Sequence, residues 1–89
     1  MKLCFLSGLR EIVGKEEVEL EYAGRLSGLL AMLSDKHGEG LRSLLLDPEK
    51  PGRKSAFVKV LVEGEEVGKA DPELSGEETI FLFLPIAGG

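Results

Sequence analysis

One apolar helical stripe set between two stretches of strand pattern restricts this chain's fold more than any other feature. Leu26, Leu29, Leu30 and Leu33 fall at i, i+3, i+4 and i+7, the spacing that gathers side chains on one helix face. Lys36 and His37 stand in the last turn, where cations suit the helix dipole, and Gly38 and Gly40 supply the stop. The start is weakly signalled: Gly24-Arg25 lacks a good capping side chain, and Gly28 falls in the first turn. Leu41, Leu44 and Leu45 predict a further short helical turn packed on the core.

Ahead of this helix, Lys2 to Leu6 reads as a strand with Leu3 and Phe5 on one face, broken by Ser7-Gly8. Leu9 to Val13 fits one helical turn ended by Gly14. From Glu17 to Tyr22 the alternation is strict, with Val18, Leu20 and Tyr22 against a solvated acidic face of Glu17, Glu19 and Glu21. After the helices, Asp47 to Lys54 has the composition of a loop. Phe57 to Val62 predicts a strand and Glu66-Val67 a very short return strand; Asp71-Pro72 and Ser75-Gly76 mark turns. Thr79 to Leu84 is apolar on both faces, the pattern of a strand with neighbours on each side.

Two hairpins around one helix predict an α+β fold: a mixed sheet of four to five strands with one main helix across one face. The first and last strands are expected at the centre, parallel to each other. Residues 1–84 are read as the globular domain and 85–89 as an extended, flexible tail.

Composition narrows the function. A chain of 89 residues is read as one domain. Cys4 is the only cysteine, so no disulfide forms within the chain, which fits a reducing cytoplasm. Neither a signal peptide nor a membrane span is expected. The net charge of -5 argues against nucleic acid as a partner, because phosphate binding needs a surplus of Lys and Arg. His37 is the only histidine, which with a single cysteine leaves no expected zinc site. No phosphate loop, nucleophile–base pair or carboxylate dyad suggests independent catalysis.

The ending carries the chemistry. The chain finishes Leu84-Pro85-Ile86-Ala87-Gly88-Gly89. With Gly89 as its end, a free carboxylate stands behind a residue that lacks a Cβ, so it can enter a channel too narrow for other dipeptides. Five extended residues from Pro85 reach roughly 17 Å at about 3.3–3.6 Å each. Pro85 stiffens the exit by fixing φ.

Three stretches, taken in order, resemble the MoaD/ThiS family of ubiquitin-like sulfur-carrier proteins. Leu3-Cys4-Phe5 followed by Leu9-Arg10-Glu11-Ile12-Val13-Gly14 is similar to the family's opening strand and turn. Val58 to Glu66 is similar to its third strand and hairpin. Ser75-Gly76-Glu77-Glu78 through Gly89 is similar to its ending: an acidic turn, an apolar strand, a proline, a hydrophobe and Gly-Gly. Leu84 stands where many molybdopterin-pathway members have a first of two prolines, and the Asp47–Ser55 loop is long for the simplest members. The same ending occurs in carriers for molybdopterin, thiamine and tRNA thiolation and in archaeal small modifier proteins.

The resemblance implies the ubiquitin-like β-grasp fold. It implies that a ubiquitin-activating-type adenylating enzyme uses ATP to adenylate Gly89, and that a sulfur donor protein then leaves a thiocarboxylate there. The chain binds no cofactor itself. The leading expectation is the small subunit of molybdopterin synthase, whose large catalytic subunit receives the tail. Conjugation to lysines as a protein modifier, and a β-grasp interaction module that is never activated, are the alternatives.

Docking to such partners is expected to use Phe81 and Phe83, on one face of the last strand, together with Pro85, Ile86, Ala87 and Gly88. Ile80 and Leu82 fall on the other face. Only one face can lie under the helix; the open one has Leu61 and Phe57 as candidate neighbours, and coverage of both faces by local loops is the other reading. Cys4 reads as a small core hydrophobe rather than a nucleophile. Lys50, Arg53 and Lys54 form a small basic cluster read as a solvated loop, with contact to an acidic partner as the other possibility.

Overall fold

The computed structural model describes residues 1–6, 8–50 and 52–84, and it has the α+β architecture that the element order predicts. Strand β1 (Lys2–Phe5) leads into a short helix α1 (Gly8–Val13) and strand β2 (Glu17–Glu19). A two-residue strand β3 (Gly24–Arg25) precedes the main helix α2 (Leu26–His37) and then α3 (Glu39–Leu45). Strands β4 (Lys59–Val62), β5 (Glu65–Glu66), β6 (Glu73–Leu74) and β7 (Thr79–Phe83) complete the chain. The main sheet is ordered β2-β1-β7-β4-β5, with the first and last strands central and parallel, Leu3 opposite Ile80 and Phe5 opposite Leu82. Its other pairs are antiparallel.

One face of this sheet makes the core. Leu3, Phe5, Val60, Ile80 and Leu82 are buried there together with the whole α2 stripe, Leu26, Leu29, Leu30 and Leu33. Leu9 of α1 and Leu41 and Leu45 of α3 join the same cluster. Burying one such side chain is worth about 1.5–3 kcal/mol, so this layer is what holds a small domain together. Among the described residues, every buried side-chain nitrogen or oxygen has a hydrogen-bond partner. No described helix is long and apolar enough to cross a membrane.

Gly38 serves both helices. With φ at 95° its N–H donates to Ser34 O (2.8 Å), closing α2, while its carbonyl accepts from Arg42 N (3.0 Å), opening α3. Its positive φ is the conformation that favours glycine at a helix end. Arg42 ion-pairs with both Asp35 and Glu39, tying the end of α2 to the start of α3.

Several elements are shorter than their sequence patterns. The Glu17–Tyr22 alternation yields a strand only to Glu19. Leu20 still exchanges backbone bonds with Met1, each 3.0 Å, but Tyr22 turns away and its hydroxyl donates to Arg25 O (2.7 Å). The Phe57–Val62 pattern yields a strand only from Lys59. Ser55 Oγ accepts the Phe57 N–H (2.8 Å) and Lys54 Nζ donates to Val58 O (3.1 Å), so side chains engage backbone groups that a ladder would use. The sequence pattern does not reveal the small β3–β6 sheet, because its two-residue strands are too short to show a period.

The weakly signalled start of α2 is completed from a distance. Arg25 at its N-cap makes no side-chain hydrogen bond. Asp71 supplies the missing acceptors instead, its Oδ1 to Ser27 N (2.8 Å) and its Oδ2 to Ser27 Oγ (2.7 Å), while Pro72 O accepts Leu26 N (3.0 Å). Gly28 also gains its reason here, because a Cβ at that position would collide with the Tyr22 hydroxyl.

Candidate functional site

The sheet has a second face, and β7 is at its middle. Because side chains alternate along a strand, burying Ile80 and Leu82 turns Phe81 and Phe83 away from the helices. Both are half-buried. Phe81 lies between Cys4 on β1 and Leu61 on β4, which are its register partners on either side. Phe83 pairs with Lys59.

The three residues Cys4, Phe81 and Leu61 thus form an apolar row across three strands. Glu17, opposite Cys4, and Glu66, opposite Leu61, continue the row at each end. Both carboxylates are engaged: Lys2 Nζ lies 3.4 Å from Glu17 Oε1 and Lys59 Nζ lies 3.0 Å from Glu66 Oε2. An apolar centre with a charged border is the composition of a protein-docking surface. Ion pairs this exposed add little to stability, and they leave the rim polar and wet.

Cys4 is therefore not a core residue. It alternates with buried Leu3 and Phe5 and is half-buried on the open face. The strict alternation of β1 carried that signal, and the apolar character of cysteine masked it. Phe57 is 63% exposed in a turn ahead of β4, outside the ladder that brings Leu61 to Phe81.

The turn that feeds β7 is held by one carboxylate. Glu78 Oε2 accepts from Ser75 N (2.7 Å) and Ser75 Oγ (3.1 Å), and its Oε1 accepts from Gly76 N (2.9 Å). These donors, the Ser75 backbone N–H above all, favour the ionised form and hold the Glu78 carboxyl at about 2. Gly76 is required there: its φ is 106°, and a Cβ would lie 3.0 Å from Tyr22 O. β7 ends at Phe83, and Leu84 after it is buried. Pro85, Ile86, Ala87, Gly88 and Gly89 lie outside the described residues.

The ThiS family model matches residues 4–89 of this sequence, nearly its whole length. The chain belongs to the ThiS family. This is a family of ubiquitin-like sulfur carriers and modifiers. No curated protein sequence matches this ThiS-family chain significantly. Solved structures do. The Haloferax volcanii HVO 2177 protein is 27% identical with a TM-score of 0.77, the match covering 99% of this chain and 84% of that one. The small archaeal modifier protein 1 of Methanosarcina acetivorans is 20% identical with a TM-score of 0.79, covering 99% and 94%. A putative molybdopterin converting factor subunit 1 from Pyrococcus furiosus is 23% identical with a TM-score of 0.64, covering 96% and 95%. The last two likenesses speak for the fold.

Proposed function

We propose that this ThiS-family chain is a sulfur carrier whose reacting group is the Gly89 carboxylate, presented to partner enzymes that dock on the open sheet face. A carboxylate with a pKa of about 3.3–3.7 is anionic at neutral pH and a poor electrophile. An adenylating partner supplies the activation: the carboxylate oxygen attacks the α-phosphorus of ATP, pyrophosphate leaves, and an acyl-adenylate forms. Sulfide delivered by a sulfur donor then attacks the acyl carbon, AMP leaves, and a thiocarboxylate remains on Gly89. The chain's own share is recognition and presentation. Gly88 keeps the approach slim, Pro85 limits the entropy lost on docking, and Ile86 and Ala87 contact the channel wall.

The observation that carries this reading is the placement of the apolar row. Cys4, Phe81 and Leu61 lie on the central strands, and β7 is the strand from which residues 85–89 continue. A partner seated on this row therefore grips the element that leads to the reacting group.

Within the family's range, the leading assignment is the small subunit of molybdopterin synthase, with a large catalytic subunit as sulfur acceptor. The likeness to the Pyrococcus furiosus converting factor supports it. Conjugation to lysines is the second reading, favoured by the likeness to a protein named a modifier. Carriage of sulfur for thiamine or tRNA thiolation uses the same tail chemistry.

The test is binding of Phe81→Glu and Phe83→Glu to the adenylating enzyme of the same organism. Both variants are expected to keep the native circular dichroism spectrum and melting transition while binding falls by about tenfold or more, as for a truncated interface hot spot. Unchanged binding by well-folded variants would remove the open face from the proposal.

A further inference from the structure

A second concave site lies away from the open face. A pocket of about 420 Å³ is lined by Lys50, Arg53, Lys54 and Lys69, with Asp47 and Asp71 the only carboxylates among its described lining residues. Four cations against two carboxylates is a local excess of positive charge in a chain of net charge -5. The two carboxylates are also partly committed. Both Asp71 oxygens accept from Ser27, and Asp47 Oδ1 accepts from Glu49 N (2.9 Å). Among the described residues, none of the four cations is in an ion pair, whereas Lys2, Arg10, Arg42 and Lys59 are.

The loop backbone that carries three of the four cations is held in place. Asp47 N donates to Arg53 O (2.9 Å) and Arg53 N to Lys50 O (3.1 Å), and Leu46 bridges Lys54 across the loop. Lys54 is the anchored member: its Nζ donates to Ser55 O (3.0 Å) and Val58 O (3.1 Å). An ammonium has three N–H donors, so these two bonds leave a third unused. Burial, then the nearby Lys59, push its pKa down, with Glu66 opposing them. A further anion beside Lys54 would relieve that cost.

We propose that this pocket binds a small molecule carrying a diphosphate or an equivalent pair of adjacent anionic groups. One carboxylate or monophosphate would engage only part of a lining that carries four cations. A diphosphate can take a bidentate guanidinium from Arg53 and point charges from the lysines together. The volume falls in the range of small-molecule sites, about 300–1,000 Å³. The overall negative charge works against a nucleic-acid strand, whose many phosphates would meet the acidic remainder of the surface.

The experiment is titration of the isotopically labelled full chain with inorganic pyrophosphate at physiological ionic strength, followed by amide chemical shifts. Saturable shifts are expected at Ser27, Gly52 to Ala56 and Lys69 to Asp71, with affinity falling by about tenfold in the Lys50→Gln/Arg53→Gln double variant. Both of those side chains are exposed, so folding is spared; Lys54→Met, which also frees two carbonyls, is the second variant. ADP binding as tightly as pyrophosphate identifies the diphosphate as the recognised unit, and tighter ADP binding adds a nucleoside to it. Unsaturable shifts spread to Lys15 and Lys36, or affinity unchanged in the double variant, would overturn the site. So would tighter binding of an oligoglutamate peptide, which would assign the surface to an acidic protein. No partner enzyme is needed, so failure here leaves the carrier reading untouched.

Discussion

Asp71 caps helix α2 from 44 residues away in sequence, both of its carboxylate oxygens accepting from the backbone N–H and hydroxyl of Ser27. A helix leaves its first N–H groups without internal partners, and they need acceptors from elsewhere. Arg25 at the local N-cap gives none, so the segment before β6 does. The contact locks the 67–74 connection against the main helix. Asp71→Ala is expected to cost about 1 kcal/mol, the usual worth of a cap, and to lower the melting temperature by roughly 4–8 °C. Thermal unfolding by circular dichroism measures it; an unchanged melting temperature would show that water caps α2 equally well.

Gly28→Ala is expected to destabilise, against the ordinary trend. In a helix interior, alanine usually gains about 0.5–1 kcal/mol over glycine. Here the new Cβ collides with the Tyr22 hydroxyl, which is fixed by its bond to Arg25 O. Removing the oxygen removes the collision, since the next Tyr22 atom lies at an ordinary 3.6 Å. The Tyr22→Phe/Gly28→Ala pair should therefore be more stable than the sum of its single changes. Additive losses in a double-mutant cycle would refute the steric reading.

Acid should weaken the domain through Glu78. Its folded pKa of about 2 lies below the unfolded value near 4.5, so the folded state prefers the ionised form. The stabilisation is fully present above about pH 4.5 and is lost as pH falls towards about 2, because the unfolded chain takes up the proton first. Glu78→Gln should be less stable than the native chain at neutral pH and should lose this part of the acid dependence. Denaturant melts between pH 2 and 7 measure both; parallel pH profiles for the two proteins would contradict the role of the Ser75–Glu78 turn.

What the sequence made legible was periodic, and what it hid was distant. The α2 stripe and the two faces of β7 follow from spacings that repeat over several residues, and the central parallel pair follows from the order of the elements, which needs no local contact to be read. The Asp71 cap and the β3–β6 pairing join segments far apart in sequence through one or two residues each, below what any period can register. Cys4 reads as a core residue by its hydrophobicity, but its alternation with Leu3 and Phe5 puts it on the open face. The basic loop was legible as composition, but its concavity depends on Lys69 and Ser27, which only folding brings beside it.

The chemistry proposed for Gly89 is tested most directly by intact mass. The full chain is incubated with the adenylating enzyme, ATP and a sulfide source, beside a variant lacking Gly89. A mass gain equal to one oxygen replaced by one sulfur, absent from the variant, is the expected result. An unchanged mass under conditions where the enzyme demonstrably forms adenylate on another carrier would contradict the sulfur-carrier reading and turn attention to conjugation or to a simple interaction module.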